Sequence, residues 1–237
     1  MSPSIAFGPV ANSSYVLFGT GKFLELADKT NNATQSAYMV YDTGYANLDA
    51  LIGTRESAVS GRVRLKRGTV TVSSGTVAVP GFTLGRGTTA LDSEVVRSGW
   101  YFDFPTSGER QISNASIVGN KALFGSLIPA VTATSGTCNV SSGGGYAYVV
   151  DMSGNGTALA STVGILGEPI PFETGSAAYG PTDSTGRRTK TITTTTGLQG
   201  SSGVAVAGSS GTFTTTVTAG RLSWRQIHNY LDLKAAP

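Results

Sequence analysis

The chain has 237 residues, a length that one all-β domain can span, since sandwiches and barrels run to about 250 residues without splitting. Its 32 glycines, 13% charged residues and short apolar runs cut by Gly/Ser/Asn clusters point to many short strands and away from long helices. The formal net charge of +3 is a mild imbalance, with none of the aromatic interleaving that marks a nucleic-acid groove, and no apolar run approaches the roughly 20 residues that cross a bilayer.

Met1-Ser-Pro-Ser-Ile5 carries neither a basic n-region nor a long apolar h-region, so an export signal is expected to lie outside these residues. Ser14–Phe18 and Lys22–Leu26 read as two strands around the turn Gly19-Thr-Gly21, and Ala37–Tyr41 as a third, closed by Asp42-Thr-Gly44. A short helical turn is expected at Leu48–Ile52. In Arg62-Val-Arg-Leu-Lys-Arg67, a strand would place Arg62, Arg64 and Lys66 on one face. That face suits an anionic polymer or phospholipid head groups, but reads better as a solvated strand face that discourages edge pairing.

Thr69–Val72 and Thr76–Val79 alternate with period 2 around Ser73-Ser-Gly75, the pattern of a bulged hairpin. Gly99–Phe104 is a strand, Pro105–Gly108 a turn and Glu109–Ile112 a further strand. Ala115–Val118 and Lys121–Gly125 flank a Gly119-Asn120 turn. Tyr146–Val150 precedes an Asp151–Gly156 turn. In the Thr-rich tail, Thr191–Thr196, Gly203–Gly208 and Thr212–Thr218 suit a solvated pleated surface, and Arg221–Ile227 closes the ordered part.

Four segments, in order, resemble the C-terminal β-propeller of the PilY/PilC family of type IV pilus assembly and tip-adhesin proteins. They are Tyr15–Leu24 (strand, Gly-Thr-Gly, strand), Ala37–Gly44, Gly99-Trp-Tyr-Phe-Asp-Phe-Pro-Thr-Ser-Gly-Glu-Arg110 and Ser223-Trp-Arg-Gln226. Cys138 and the Gly-rich run to Asp151 sit where that family has a similar segment. The resemblance implies that residues 1–237 are the last part of such a propeller, all-β with antiparallel four-stranded blades, in a ring that is incomplete. Strands ending in Asp and then Gly, as in Tyr41–Gly44 and Val150–Gly154, fit blades. The family-motif residues Gly19, Gly21, Trp100, Glu109, Arg110 and Trp224 are read as structural. The Gly pair meets backbone needs, both Trp pack between sheets with the indole N–H on a carbonyl, and Glu109 and Arg110 pair with neighbouring charges.

The implied function is type IV pilus biogenesis and tip adhesion, supporting pilus extension, twitching motility and attachment. Its partners would be pilins, minor pilins and a host-cell or abiotic surface, and its location the cell surface or pilus tip, reached through the periplasm. The resemblance also implies a calcium loop of alternating Asp/Asn. The nearest segments are Asp28–Asn32, with Asp28 and Asn31, and Asp151–Asn155, with Asp151 and Asn155. Neither alternates acids, and both read better as Asx turns. The calcium site is therefore expected outside these residues or absent, and no cofactor is assigned.

One His, His228, and one Cys, Cys138, leave no His-based triad and no four-ligand zinc site. Asp42, Asp103, Glu109 and Asp151 are the carboxylates that glycoside chemistry would need, but Asp42 and Asp151 read as turn formers, and the chain is expected not to be an enzyme. A quinoprotein-type propeller enzyme and a structural phage or surface-layer β-module are the competing readings. A bound redox cofactor would single out the former and a continuous β-helix the latter. The tail Thr191–Val217 is expected to cover an open sheet face.

Overall fold

The computed structural model describes residues 2–8, 13–42, 62, 64–84, 96–130, 143–184 and 186–220. The helical turn expected at Leu48–Ile52, the segments around Cys138, Trp224 and His228, and the closing segment Arg221–Ile227 lie outside the described residues. The described residues form strands with two short 3₁₀ turns, Leu26–Lys29 and Ser209–Gly211, and no α-helix.

In chain order the strands are β1 (Ser4–Phe7), β2 (Ser14–Gly19), β3 (Ser36–Asp42), β4 (Lys66–Arg67), β5 (Thr69–Thr71), β6 (Thr76–Ala78), β7 (Thr83–Leu84) and β8 (Val96–Arg97). There follow β9 (Gly99–Asp103), β10 (Ser116–Val118), β11 (Lys121–Gly125), β12 (Tyr146–Asp151) and β13 (Gly156–Ala160). The last are β14 (Ile170–Ser176), β15 (Arg187–Gly200), β16 (Gly203–Val206) and β17 (Thr212–Gly220).

These make a five-stranded sheet ordered β1-β2-β3-β9-β4, a six-stranded sheet ordered β10-β11-β12-β13-β6-β5, a four-stranded sheet built on β15, and the small pair β7-β8. None closes on itself among the described residues. Pairing is antiparallel throughout the larger sheets except that β4 runs parallel to β9. Among the described residues the sheets thus hold five, six, four and two strands, and uniform four-stranded blades are not shown. The hairpin β5-β6 docks its Thr76 and Val77 on Thr157 and Gly156 of β13, and β4 lies along β9. Each addition gives backbone partners to an edge that would otherwise be bare.

The main core lies between the first two sheets. Leu17, Met39, Trp100 and Phe102 from one meet Val77, Phe124, Tyr148 and Val150 from the other, all buried. Phe124 and Tyr148 stack at 5.0 Å, and Phe102 meets Tyr148 at 5.6 Å. A smaller core joins the second sheet to the third, where Leu198 and Ala207 pack with Ala147, Val163 and Leu166. The tail thus roots in the body through the inner end of β15, while its outer part, from Arg187 to Thr193, stays exposed or half-buried.

Two expected strands do not form. Lys22–Leu26 is coil that runs into a 3₁₀ turn because the Asp28 carboxylate takes the N–H groups of Leu24 (2.8 Å) and Glu25 (2.9 Å) and bends the chain. Leu24 and Leu26 are left exposed. Glu109–Ile112 is irregular apart from a single antiparallel bridge between Arg110 and Leu127, because both charged side chains there turn inward.

Candidate functional site

Among the described residues, the family-motif segments pack on one another. β2 ends at Gly19, and Thr20 is tied to β3 by its N–H on Ser36 O (2.9 Å) and by its Oγ1, which accepts the Ser36 N–H at 2.9 Å. The Thr20 carbonyl accepts the Gln111 N–H at 3.1 Å. A Cβ at Gly19 would run into the Gln111 side chain, and one at Gly21, where φ is +140°, into Cβ of Arg110. The Gly-Thr-Gly signature is therefore the footprint of the Glu-Arg-Gln segment lying across it.

That segment follows the turn at Pro105–Gly108. Glu109 is fully buried. Its Oε1 accepts the hydroxyls of Ser126 (2.6 Å) and Tyr148 (2.7 Å), and its Oε2 accepts the Thr106 N–H at 3.2 Å. Burial raises its carboxyl above the ordinary range, against the pull of those donors. Burial, with Glu109 alongside, also pushes the Tyr148 phenol up, so it stays a protonated donor.

Arg110, also buried, donates Nε to Gly108 O (2.9 Å), Nη1 to Lys22 O (2.8 Å) and Nη2 to Asn31 O (2.6 Å). Charge pairing is thus not what holds either residue: hydroxyls and an amide hold Glu109, and backbone carbonyls hold Arg110. The guanidinium fork closes the loop 22–31 over the motif.

Trp100 sits at the other end of β9, closed to solvent. It is stacked on Phe102 at 5.7 Å and donates Nε1 to Met152 O at 3.1 Å. The indole thereby joins the first sheet to the Asp151–Asn155 turn of the second.

Both calcium candidates are closed turns. At the first, hydrogen bonds from the Glu25 and Leu24 N–H groups hold the Asp28 carboxyl below its ordinary value. Asn31 Oδ1 accepts the Ala33 N–H at 2.9 Å, and the Asn31 carbonyl holds Arg110, a cation already in place. At the second, Asp151 Oδ1 accepts the Ser153 N–H (3.0 Å), the Ser153 hydroxyl (2.6 Å) and the Asn155 N–H (3.0 Å). Lys121 Nζ lies 3.7 Å from Asp151 Oδ2, and Asn155 Oδ1 accepts the Val79 N–H at 3.2 Å. The two turns belong to different sheets, and among the described residues no three His, Cys, Asp or Glu side chains converge.

The basic stretch differs from a solvated strand face. Only Lys66–Arg67 is strand. Arg62 donates Nη1 to Asp103 Oδ1 (2.6 Å) and Nη2 to Ser36 Oγ (2.8 Å), and its guanidinium lies 4.5 Å from the Tyr101 ring centre and 5.3 Å from that of Tyr38. Burial pushes the Asp103 carboxyl up, but the Ser36 hydroxyl and the Arg62 guanidinium outweigh it and leave it below the ordinary value. Arg62 thus clamps the outer face of the first sheet. The sequence marks Asp103 as a strand residue and one of four candidate carboxylates, and says nothing of Ser36, Ser126 or Tyr148 as polar partners.

No family model matches the chain, and no curated protein matches it. Among solved structures it is similar to the C-terminal domain of PilY1 from Pseudomonas aeruginosa, with 18% identity and a TM-score of 0.45 over 86% of this chain. The chain spans 44% of that structure's length.

Proposed function

We propose that this chain is a non-enzymatic part of a type IV pilus-associated surface protein, acting in pilus biogenesis and in adhesion from the pilus tip. The observation that carries the reading is the interlock, among the described residues, of motif segments on which the family resemblance rests. Gly19-Thr-Gly21 lies under Glu109-Arg-Gln111, and Trp100 reaches the Asp151–Asn155 turn. In this reading the antiparallel path β1-β2-β3-β9 and the meander β10-β11-β12-β13 are two propeller blades of four strands each, and β4 and β5-β6 are additions to their edges. The motif side chains that could do chemistry, Glu109 and Arg110, are spent on scaffolding, so function falls to the surface. Pilins and minor pilins are the partners at the tip, a host-cell or abiotic surface is the target, and the route to it is export through the periplasm.

The test is deletion of the gene in the organism that encodes it, with complementation by the intact protein. Loss of surface pili and of twitching, both restored by complementation, supports the proposal. Unchanged piliation, twitching and attachment in the deletion strain overturn it.

A further inference from the structure

The free edges of the sheets are unequal. Among the described residues, the first sheet ends in β1, of four residues, and β4, of two; the second ends in β10 and β5, of three each. Such short edges offer little to a passing strand. The third sheet has longer ones. On one side β14 runs seven residues, but Pro171 lacks an N–H, Glu173 carries charge, and a bulge between Glu173 and Gly175 breaks the register. All three are devices that blunt an edge.

On the other side, β17 runs nine residues, Thr212–Gly220, paired in unbroken register with β15 from Thr195↔Thr212 to Arg187↔Gly220. It contains no Pro and no charged residue. Thr214, Thr216, Val217 and Thr218 are exposed.

The sequence of this edge is nearly its own mirror. Thr212-Phe-Thr-Thr-Thr-Val-Thr218 reads almost the same in both directions about Thr215. We propose that β17 is a self-association edge whose partner is the β17 of a second copy, antiparallel to it about a two-fold axis at Thr215. In that register Thr212 opposes Thr218 of the other copy, Thr214 opposes Thr216, and Phe213 opposes Val217, so each residue meets one of its own kind and the apolar pair falls on a single face. Thr–Thr and aromatic–β-branched cross-strand pairs are favourable, and no like charges meet.

The side-chain alternation is respected, because opposed residues share a face in both copies. Within each chain, Thr189, Thr191, Thr193 and Thr195 already oppose Thr218, Thr216, Thr214 and Thr212. The dimer would extend that threonine face across the junction. Because the opposite edge of this sheet is guarded by β14, the association is isologous and closes as a pair instead of growing into a fibre.

The test is sedimentation equilibrium of the full chain and two matched variants. In Thr214→Lys/Thr216→Lys, lysines oppose lysines across the junction; in Thr214→Glu/Thr216→Lys, acids oppose lysines at the same positions. The expected result is a dimer for the unaltered chain, a monomer for the first variant and a dimer for the second. A monomeric unaltered chain at every concentration overturns the proposal, as do a dimer that persists equally in the lysine variant and a dimer lost in both variants. If the variants do not fold, hydrogen exchange of the unaltered chain decides. Amides of residues 213–217 that exchange at least tenfold more slowly at high than at low protein concentration support the pairing, and equal exchange contradicts it.

Discussion

The hydroxyl of Tyr148 donates to Oε1 of Glu109 at 2.7 Å, with both side chains closed to solvent. Burial raises the Glu109 carboxyl above its ordinary value of 4.5, so the native state keeps this proton to higher pH than the unfolded chain does. The stability this group contributes is therefore complete below pH 4.5 and is lost as pH rises through the raised native value. Glu109→Gln, which keeps an acceptor for the hydroxyls but cannot titrate, removes that decline. Melting temperatures of both proteins across the acid-to-neutral range check this, and equal slopes would contradict it. Glu109→Ala leaves two buried hydroxyls without their acceptor and costs about 2–4 kcal/mol in denaturant unfolding.

Gly21→Ala forces an L side chain to φ +140° and against Arg110 Cβ. The loss is about 2–4 kcal/mol by urea denaturation. Gly81→Ala is the control, since nothing lies within 4 Å of an added Cβ there, and its effect stays within about 0.5 kcal/mol. A Gly21→Ala protein as stable as the control would mean that the Gly-Thr-Gly signature is not the footprint of the segment over it.

Arg110→Lys keeps the charge but loses the planar fork that reaches Gly108, Lys22 and Asn31 together. It is expected to cost about 1–3 kcal/mol and to speed hydrogen exchange in residues 22–33. Exchange unchanged in that loop would show that the fork does not hold it.

At Asp28 one carboxylate oxygen accepts two backbone N–H groups, and at Asp151 one accepts two backbone N–H groups and the Ser153 hydroxyl while Lys121 lies 3.7 Å from the other, so neither turn is arranged as a calcium loop. Melting temperatures in calcium and in chelator should agree within about 1 °C, whereas a site saturated at a hundredfold its dissociation constant adds about 2.7 kcal/mol. A calcium-dependent rise of several degrees would contradict the reading of both turns.

Local signals in the sequence carry much of this fold. The β5-β6 hairpin follows from period-2 alternation around Gly75, whose φ of +62° the tight turn requires. The Gly119-Asn120 turn and β12 follow from equally plain patterns. Signals fail where the decisive partner is distant. Lys22–Leu26 has strand-like alternation, yet the Asp28 carboxylate ends it. β14 is masked by Pro171 and by the Glu-Thr-Gly of its bulge. The docking of β5-β6 on β13 joins residues some 80 apart in sequence without a local trace. Glu109 reads as a partner for neighbouring charges because Ser126 and Tyr148, which hold it, lie 17 and 39 residues away.

Location tests the central claim most directly. Antibodies raised against this chain, applied with gold label to intact cells of the organism that encodes it, should decorate the distal ends of type IV pili, with no label in a deletion strain. Label confined to the cell interior, or spread over the cell surface with pili bare, would contradict the account.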